Sequence, residues 1–195
     1  MTQTRRDLPI LEFPDRAAWS TWLDAHHATA AGVWLKLAKK GSNAATPTHQ
    51  EALEEAIRYG WIDGQIQAHD ERYFLQRFTP RRAASKWSQI NRRTAERLIE
   101  TGLMHPTGLE QVQAARRDGR WENAYEPQSR ATVPEDLQRA LDEHPEAQAF
   151  FNTLTGARRY SFLYRLHNVT RPDARANRIA RYIDLLNNHR TLQDD

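Results

Sequence analysis

The chain has 195 residues, 39% of them hydrophobic and 27% charged, with a formal net charge of +3. This length suits one large domain or two small ones, and the apolar content suffices for a buried core, which excludes a disordered chain. The absence of cysteine excludes disulfides, thiolate metal centres and thiol catalysis, and no run approaches the roughly 18 apolar residues of a membrane span.

Behind the basic pair Arg5-Arg6 no apolar stretch follows, because Pro9, Glu12, Pro14 and Asp15 interrupt it. The expectation is therefore no signal peptide and a cytoplasmic location. Ile10-Leu11-Glu12-Phe13 reads as a short edge strand stopped by Pro14-Asp15, which also start a helix. Ala18, Trp19, Trp22, Leu23 and His26 recur at helical spacing. After Gly32, the run from Val33 to Lys39 alternates, with Val33, Leu35 and Leu37 on one strand face and Trp34, Lys36 and Ala38 on the other.

Thr48 and Glu51 have the spacing of a capping box, and the helix they open presents Ala52, Leu53, Ala56 and Ile57 before ending at Gly60. Trp61–Ile66 and Arg72–Phe78 then predict a hairpin. Beyond Thr79-Pro80, Ser88 caps a predicted helix with Ile90, Thr94 and Leu98 on its apolar face and Gly102 at its end. Pro106 begins another, ended by Gly119. The stretch from Arg120 to Thr132 is irregular, with Trp121 and Tyr125 packing it down. Four further helices start at Pro134, at Pro145, at Thr155-Gly156 and at a second capping-box pattern, Thr170-x-x-Asp173.

The fold class is thus α+β: a small N-terminal sheet with covering helices, then an all-α C-terminal helical region. The expected boundaries are an α+β domain over 1–104 (βαβαββ, then a helix), a helix and packed linker over 105–132, and the helical region over 133–195.

Several chemistries lack their motifs. There is no glycine-rich phosphate loop, no serine elbow and no histidine pair at metal-binding helical spacing, so neither a cofactor nor a metal is expected. His26 and His27 are adjacent and diverge by about 100° on a helix. The densest polar and aromatic group runs from Trp61 to Asn91. Arg77, Arg81 and Arg82 supply charge, Thr79, Ser88 and Asn91 supply hydrogen bonds, Trp61 and Trp87 form walls, and Asp63 orients an arginine. Basic residues just before a helix N-terminus favour anions, and an arginine can stack on an indole. This makes a small anionic or polar ligand the expected partner. The same residues are also open to a structural reading, and it carries more weight: Asp63 pairs with Arg77 across the hairpin and Ser88 is only a cap. Two other readings stand beside ligand binding: an enzyme using Asp63 as acid or base, and a nucleic-acid binder using arginine-rich segments. Of the 28 basic residues, 24 are arginine, and Arg171, Arg175, Arg178 and Arg181 share one helix face. That stripe has no interleaved aromatic residues and no nucleic-acid module around it, so the solvated-face reading is preferred.

Val33-Trp34-Leu35-Lys36, Tyr59-Gly60-Trp61-Ile62-Asp63-Gly64, Gln76-Arg77-Phe78-Thr79-Pro80-Arg81-Arg82, Ser85-Lys86-Trp87-Ser88-Gln89-Ile90-Asn91, Gly119-Arg120-Trp121 and Thr170-Arg171-Pro172-Asp173-Ala174-Arg175 together resemble the YdeI/OmpD-associated, bacteriocin-protection-like family. The resemblance runs from about Phe13 to Leu186. It implies a link to resistance against antimicrobial peptides or bacteriocins and to an outer-membrane porin, and it assigns no catalytic residues. The periplasmic location suggested for some of that family departs from the absence of an export signal read here.

Overall fold

A computed structural model describes residues 8–194; the Arg5-Arg6 pair lies outside the described residues. The chain divides between Ala124 and Tyr125 into two compact units.

The first unit is built on a four-stranded sheet of β1 (Ile10–Leu11), β2 (Val33–Ala38), β3 (Trp61–Ala68) and β4 (Tyr73–Pro80), in the order β1-β2-β4-β3. β1 runs parallel to β2, and the other pairings are antiparallel. Alternation in β2 buries Val33, Leu35 and Leu37, which meet Phe78 and Trp61 from the hairpin. Helices α1 (Arg16–His26) and α2 (His49–Arg58) cover this face through Trp19, Leu23, Ala52 and Ala56. Each large apolar side chain buried this way contributes about 1.5–3 kcal/mol. The first capping box forms as its spacing implies: the Thr48 hydroxyl accepts the Glu51 amide at 3.2 Å, and the Glu51 carboxylate accepts the Thr48 amide at 2.8 Å. Gly60 ends the helix at φ +78°, where a side chain would be strained.

The hairpin is irregular. A bulge between Asp63 and Ile66 breaks the β3/β4 register, and the buried Gln76 spans it, its Nε2 donating to the Gly64 carbonyl at 3.0 Å. Helices α3 (Gln89–Glu100) and α4 (Pro106–Arg117) both pack against α2. They share a core of Ile57, Trp87, Ala95, Leu98, Val112, Ala115 and Trp121. Trp121 is packed down, in line with the sequence. Leu98 of the expected α3 face is buried, but the rest of that face is corrected: Asn91 and Ala95 point inward, and Ile90 is 50% exposed. In the first two turns the inward residues follow the expected ones by one position. The inward face was hidden because it starts at a polar residue.

The second unit contains α5 (Glu135–Asp142), α6 (Pro145–Thr153), α7 (Gly156–His167) and α8 (Pro172–Asn187). Leu137, Leu141, Phe151, Phe162, Leu166, Tyr182, Ile183 and Leu186 form its centre. The second predicted capping box does not form. Arg171 is the N-cap of α8 and makes no side-chain cap bond, because Pro172 occupies the first helical position and moves the start past Thr170.

Candidate functional site

The residues from Trp61 to Asn91 occupy three different settings. Trp61 is 1% exposed, lies edge-on to Trp19 and Trp22, and donates its indole N–H to the His27 carbonyl at 3.1 Å. Trp87, also 1% exposed, belongs to the other cluster of this unit and packs edge-on to Trp121 with ring centroids 4.9 Å apart. The expectation that the two indoles wall one pocket is therefore corrected. Each fills a separate core, as large apolar rings do when both faces can be covered.

Asp63 and Arg77 form no pair with each other. Asp63 lies opposite Phe78 in the ladder, and residues directly opposite share a sheet face, so Arg77, one position away, points to the other side. The Arg77 guanidinium instead donates to Gln65 Oε1 at 3.1 Å. Thr79 stands opposite Ile62 near the end of the same strand.

The loop joining β4 to α3 is where basic residues and fixed geometry coincide. Arg81 is 7% exposed, and its guanidinium carbon lies 3.6 Å from the centroid of the Trp87 ring, while Nη1 donates to the Lys86 carbonyl at 3.1 Å. The stacking of arginine on indole anticipated from the sequence is present, and its role is to brace the loop from inside. The Arg82 amide donates to Ser85 Oγ at 2.9 Å, and Arg120 Nη1 donates to the Ser85 carbonyl at 2.8 Å. Ser88 is the N-cap of α3, accepting the Asn91 amide at 3.1 Å, and both residues are buried. Around this frame Arg82 and Lys86 are exposed. Although Lys86 is exposed as a whole, partial desolvation by the surrounding loop lowers its ammonium pKa. The first turn of α3 has no acidic side chain. Among the described residues Arg82 takes part in no ion pair.

Two clusters escaped the sequence reading. In the first, Glu55, buried on α2, receives Arg16 Nε at 2.7 Å and the Ser20 hydroxyl at 2.9 Å, while neighbouring Glu54 receives Arg97 Nη2 at 2.8 Å and Arg16 Nη2 at 3.1 Å. Burial pushes the Glu54 carboxyl up, but Arg97 and Arg16 outweigh it and hold the group below its ordinary range. The carboxylates are saturated by arginines from α1, α2 and α3, which makes this a structural clamp.

In the second cluster, His27 follows α1 and His105 precedes α4, and both lie against Tyr59 at the end of α2. Ring centroids are 4.9 Å apart for His27 and His105 and 4.8 Å for Tyr59 and His105. His27 Nδ1 lies 2.9 Å from the Leu23 carbonyl, which only accepts, so that nitrogen carries the proton. His105 is the N-cap of α4, with its Nδ1 2.8 Å from the Thr107 hydroxyl oxygen and 3.3 Å from the Thr107 amide nitrogen. The Tyr59 hydroxyl donates to Asp24 at 3.2 Å. Burial, reinforced by His27, lowers the pKa of His105 below its ordinary 6.5. The histidines are 78 positions apart in the chain, so no local motif could have joined them.

In the second unit the arginine stripe is partly consumed by the fold. Arg175 grips Asp136 through Nε and Nη2 and donates Nη1 to the Leu166 carbonyl at 2.9 Å, closing the end of α7. Arg171 and Arg181 are exposed. Burial beside Tyr125 and Tyr164 pushes the Tyr160 hydroxyl up to about 12. Among the described residues no group of three or more histidines or carboxylates is placed to hold a metal ion, and no helix is long and apolar enough to cross a membrane.

Together these features define an α+β protein with a braced basic loop and a helical second unit. Residues 11–111, just over half of the chain, match a domain of unknown function, DUF8412, and residues 130–189 match the family described as bacteriocin-protection, YdeI or OmpD-associated. The chain belongs to the DUF8412 family and carries a YdeI/OmpD-associated domain in its second unit. Each match falls inside one unit. The resemblance read from the sequence is supported by the second match, which contains the Thr170–Arg175 motif. The motifs from Val33 to Asn91 fall in the first. No curated protein and no solved structure matches the chain.

Proposed function

We propose that the chain is a cytoplasmic binding protein for a small anionic or polar ligand, serving protection against stress or antimicrobial peptides, and that the loop between β4 and α3 takes the ligand. The observation that carries this reading is the bracing of that loop: Arg81 stacked on Trp87 and Arg120 on the Ser85 carbonyl fix the backbone beneath exposed Arg82 and Lys86. A backbone already fixed does not have to be ordered on binding, so more of the interaction appears as affinity. The adjoining N-terminus of α3 adds a dipole of the right sign. Each charge-assisted hydrogen bond contributes about 1.5–3 kcal/mol, and two or three sustain roughly micromolar affinity after association costs. Arg81, Trp87, Ser88 and Asn91 support the loop in this reading. Arg82 and Lys86 touch the ligand.

A thermal-shift screen against phosphate, nucleotides, sugar phosphates and lipid head groups tests it. A rise in melting temperature that disappears in Arg82→Ala/Lys86→Ala is expected. No response from any of these ligands, or an undiminished response in the double variant, defeats the reading.

A further inference from the structure

The second unit has a recess of its own, between α5 and α8. Ala140 and His144 line it on the α5 side, and Ala176, Ile179, Ala180 and Ile183 line it on α8. Its volume is about 390 Å³, enough for a small ligand or for anchoring side chains. The α8 residues fall at i, i+3, i+4 and i+7 and so form one continuous stripe. Ile179 and Ile183 are buried and make the floor, while Ala176 and Ala180 are exposed and keep the opening clear. His144 is the one polar residue of the lining. Its Nδ1 lies 2.8 Å from the Ala140 carbonyl, which only accepts, so that nitrogen carries the proton and Nε2 of the neutral ring is an acceptor.

The charges bordering the opening have one sign. Successive helical residues are about 100° apart, which places Asp173 and Asp184 about 60° and 40° round α8 from Ala176 and Ala180, and Glu143 about 60° from Ala140 at the end of α5. All three are exposed, and none takes part in an ion pair among the described residues. Arg139 and Arg181 stand farther round, about 100° from Ala140 and Ala180. Arg175 is turned into the fold, on Asp136 and the Leu166 carbonyl.

We propose that this recess is a docking groove for an amphipathic helix of a partner protein, one with large apolar residues along one face and lysine or arginine on its edges. Small residues between two helices admit the ridge of a third, and an apolar stripe of this period receives anchors at i and i+3 or i+4. Acids on both banks then select a basic partner, and His144 Nε2 accepts from a donor at the rim. The chain as a whole carries a net charge of +3, so long-range attraction favours an acidic partner. A preference for a basic helix can therefore come only from a local site. The groove uses no residue of the basic loop, and its occupant is independent of that loop's ligand.

Fluorescence anisotropy of the full chain with two labelled peptides tests the groove. Both are about 18 residues long, enough to form a helix, with leucines at the same positions and either lysine or glutamate elsewhere. The lysine peptide is expected to bind about tenfold tighter than the glutamate peptide. Ala180→Phe, which fills the opening, should weaken it about tenfold, and Asp173→Lys/Asp184→Lys should abolish its advantage. Equal binding of the two peptides, binding of neither, or unchanged affinity in Ala180→Phe overturns the proposal. So does a dimer of the unaltered chain in sedimentation equilibrium that Ala180→Phe makes monomeric, because the groove would then hold a second copy. Should Ala180→Phe not fold, the surface variant Asp173→Lys/Asp184→Lys decides: a retained preference for the lysine peptide overturns the proposal.

Discussion

Replacing Gly108 by alanine places a Cβ 2.2 Å from the Arg58 carbonyl oxygen and 2.6 Å from Met104 Sδ. The methionine can swing away, but the carbonyl belongs to the last turn of α2 and cannot. Restoring ordinary contact requires α4 to withdraw by about 1 Å from a close-packed neighbour. Overpacking of this kind costs about 1–3 kcal/mol. The two 3.2 Å hydrogen bonds from His105 and Thr107 would stretch beyond useful length, at about 1 kcal/mol each. Alanine returns up to about 1 kcal/mol through its better helix propensity. The net is a loss of about 2–4 kcal/mol. All six tryptophans, Trp19 to Trp121, lie in the first unit, so urea unfolding followed by tryptophan fluorescence reports on that unit alone. With a slope of about 2 kcal/mol per molar, the midpoint should drop by about 1–2 M. A midpoint equal to or above that of the unaltered chain would refute the close approach of α4 to α2.

Arg81→Met removes the stack on Trp87 and the bond to the Lys86 carbonyl, and should cost about 2–3 kcal/mol in the same fluorescence assay. Arg81→Lys should recover less than half of that, because an ammonium lacks the planar face. In the second unit, the Arg175 guanidinium holds Asp136 below its ordinary 3.8, so the pair contributes fully above that pH and is lost as pH falls through the lowered value. Asp136→Asn should lower stability at neutral pH by about 1 kcal/mol, the pair being partly exposed, and flatten the acid limb of a circular-dichroism titration. Ile90→Glu should change stability by no more than about 0.5 kcal/mol, whereas Ala95→Glu should cost about 3 kcal/mol or more. Equal costs would contradict the inward face assigned to α3.

Legibility from the sequence followed the range of the interactions involved. Alternation in β2, the Thr48-Glu51 box and the Ser88 cap are local devices, complete within a few residues, and each was readable. The face of α3 was misread because a buried Asn91 and Ala95 carry little hydrophobic signal, while Ile90 carries a strong one and stays in solvent. The two-tryptophan pocket failed because a sequence places Trp61 and Trp87 near each other in order only, and α2 separates the cores they fill. The Asp63–Arg77 pair depended on a register that the bulge and strand alternation decide together. The histidine junction and the arginine clamp on Glu54 and Glu55 join residues from three helices. Nothing in local composition marks such meetings, and only the glycines at positions 60 and 108 hint that two backbones come close.

The margins of the small sheet have a bearing on how copies of the chain meet. β1 contributes only two residues, and β3 is interrupted by its bulge, with Gln76 answering the displaced Gly64 carbonyl from within. Ile66, 66% exposed on that margin, would be a sticky rung if the strand were flat. As it stands, an approaching strand from another molecule meets a twisted, broken template and cannot zip along it. Straightening this border would therefore favour fibrous self-association at high concentration, even if the fold itself were unharmed.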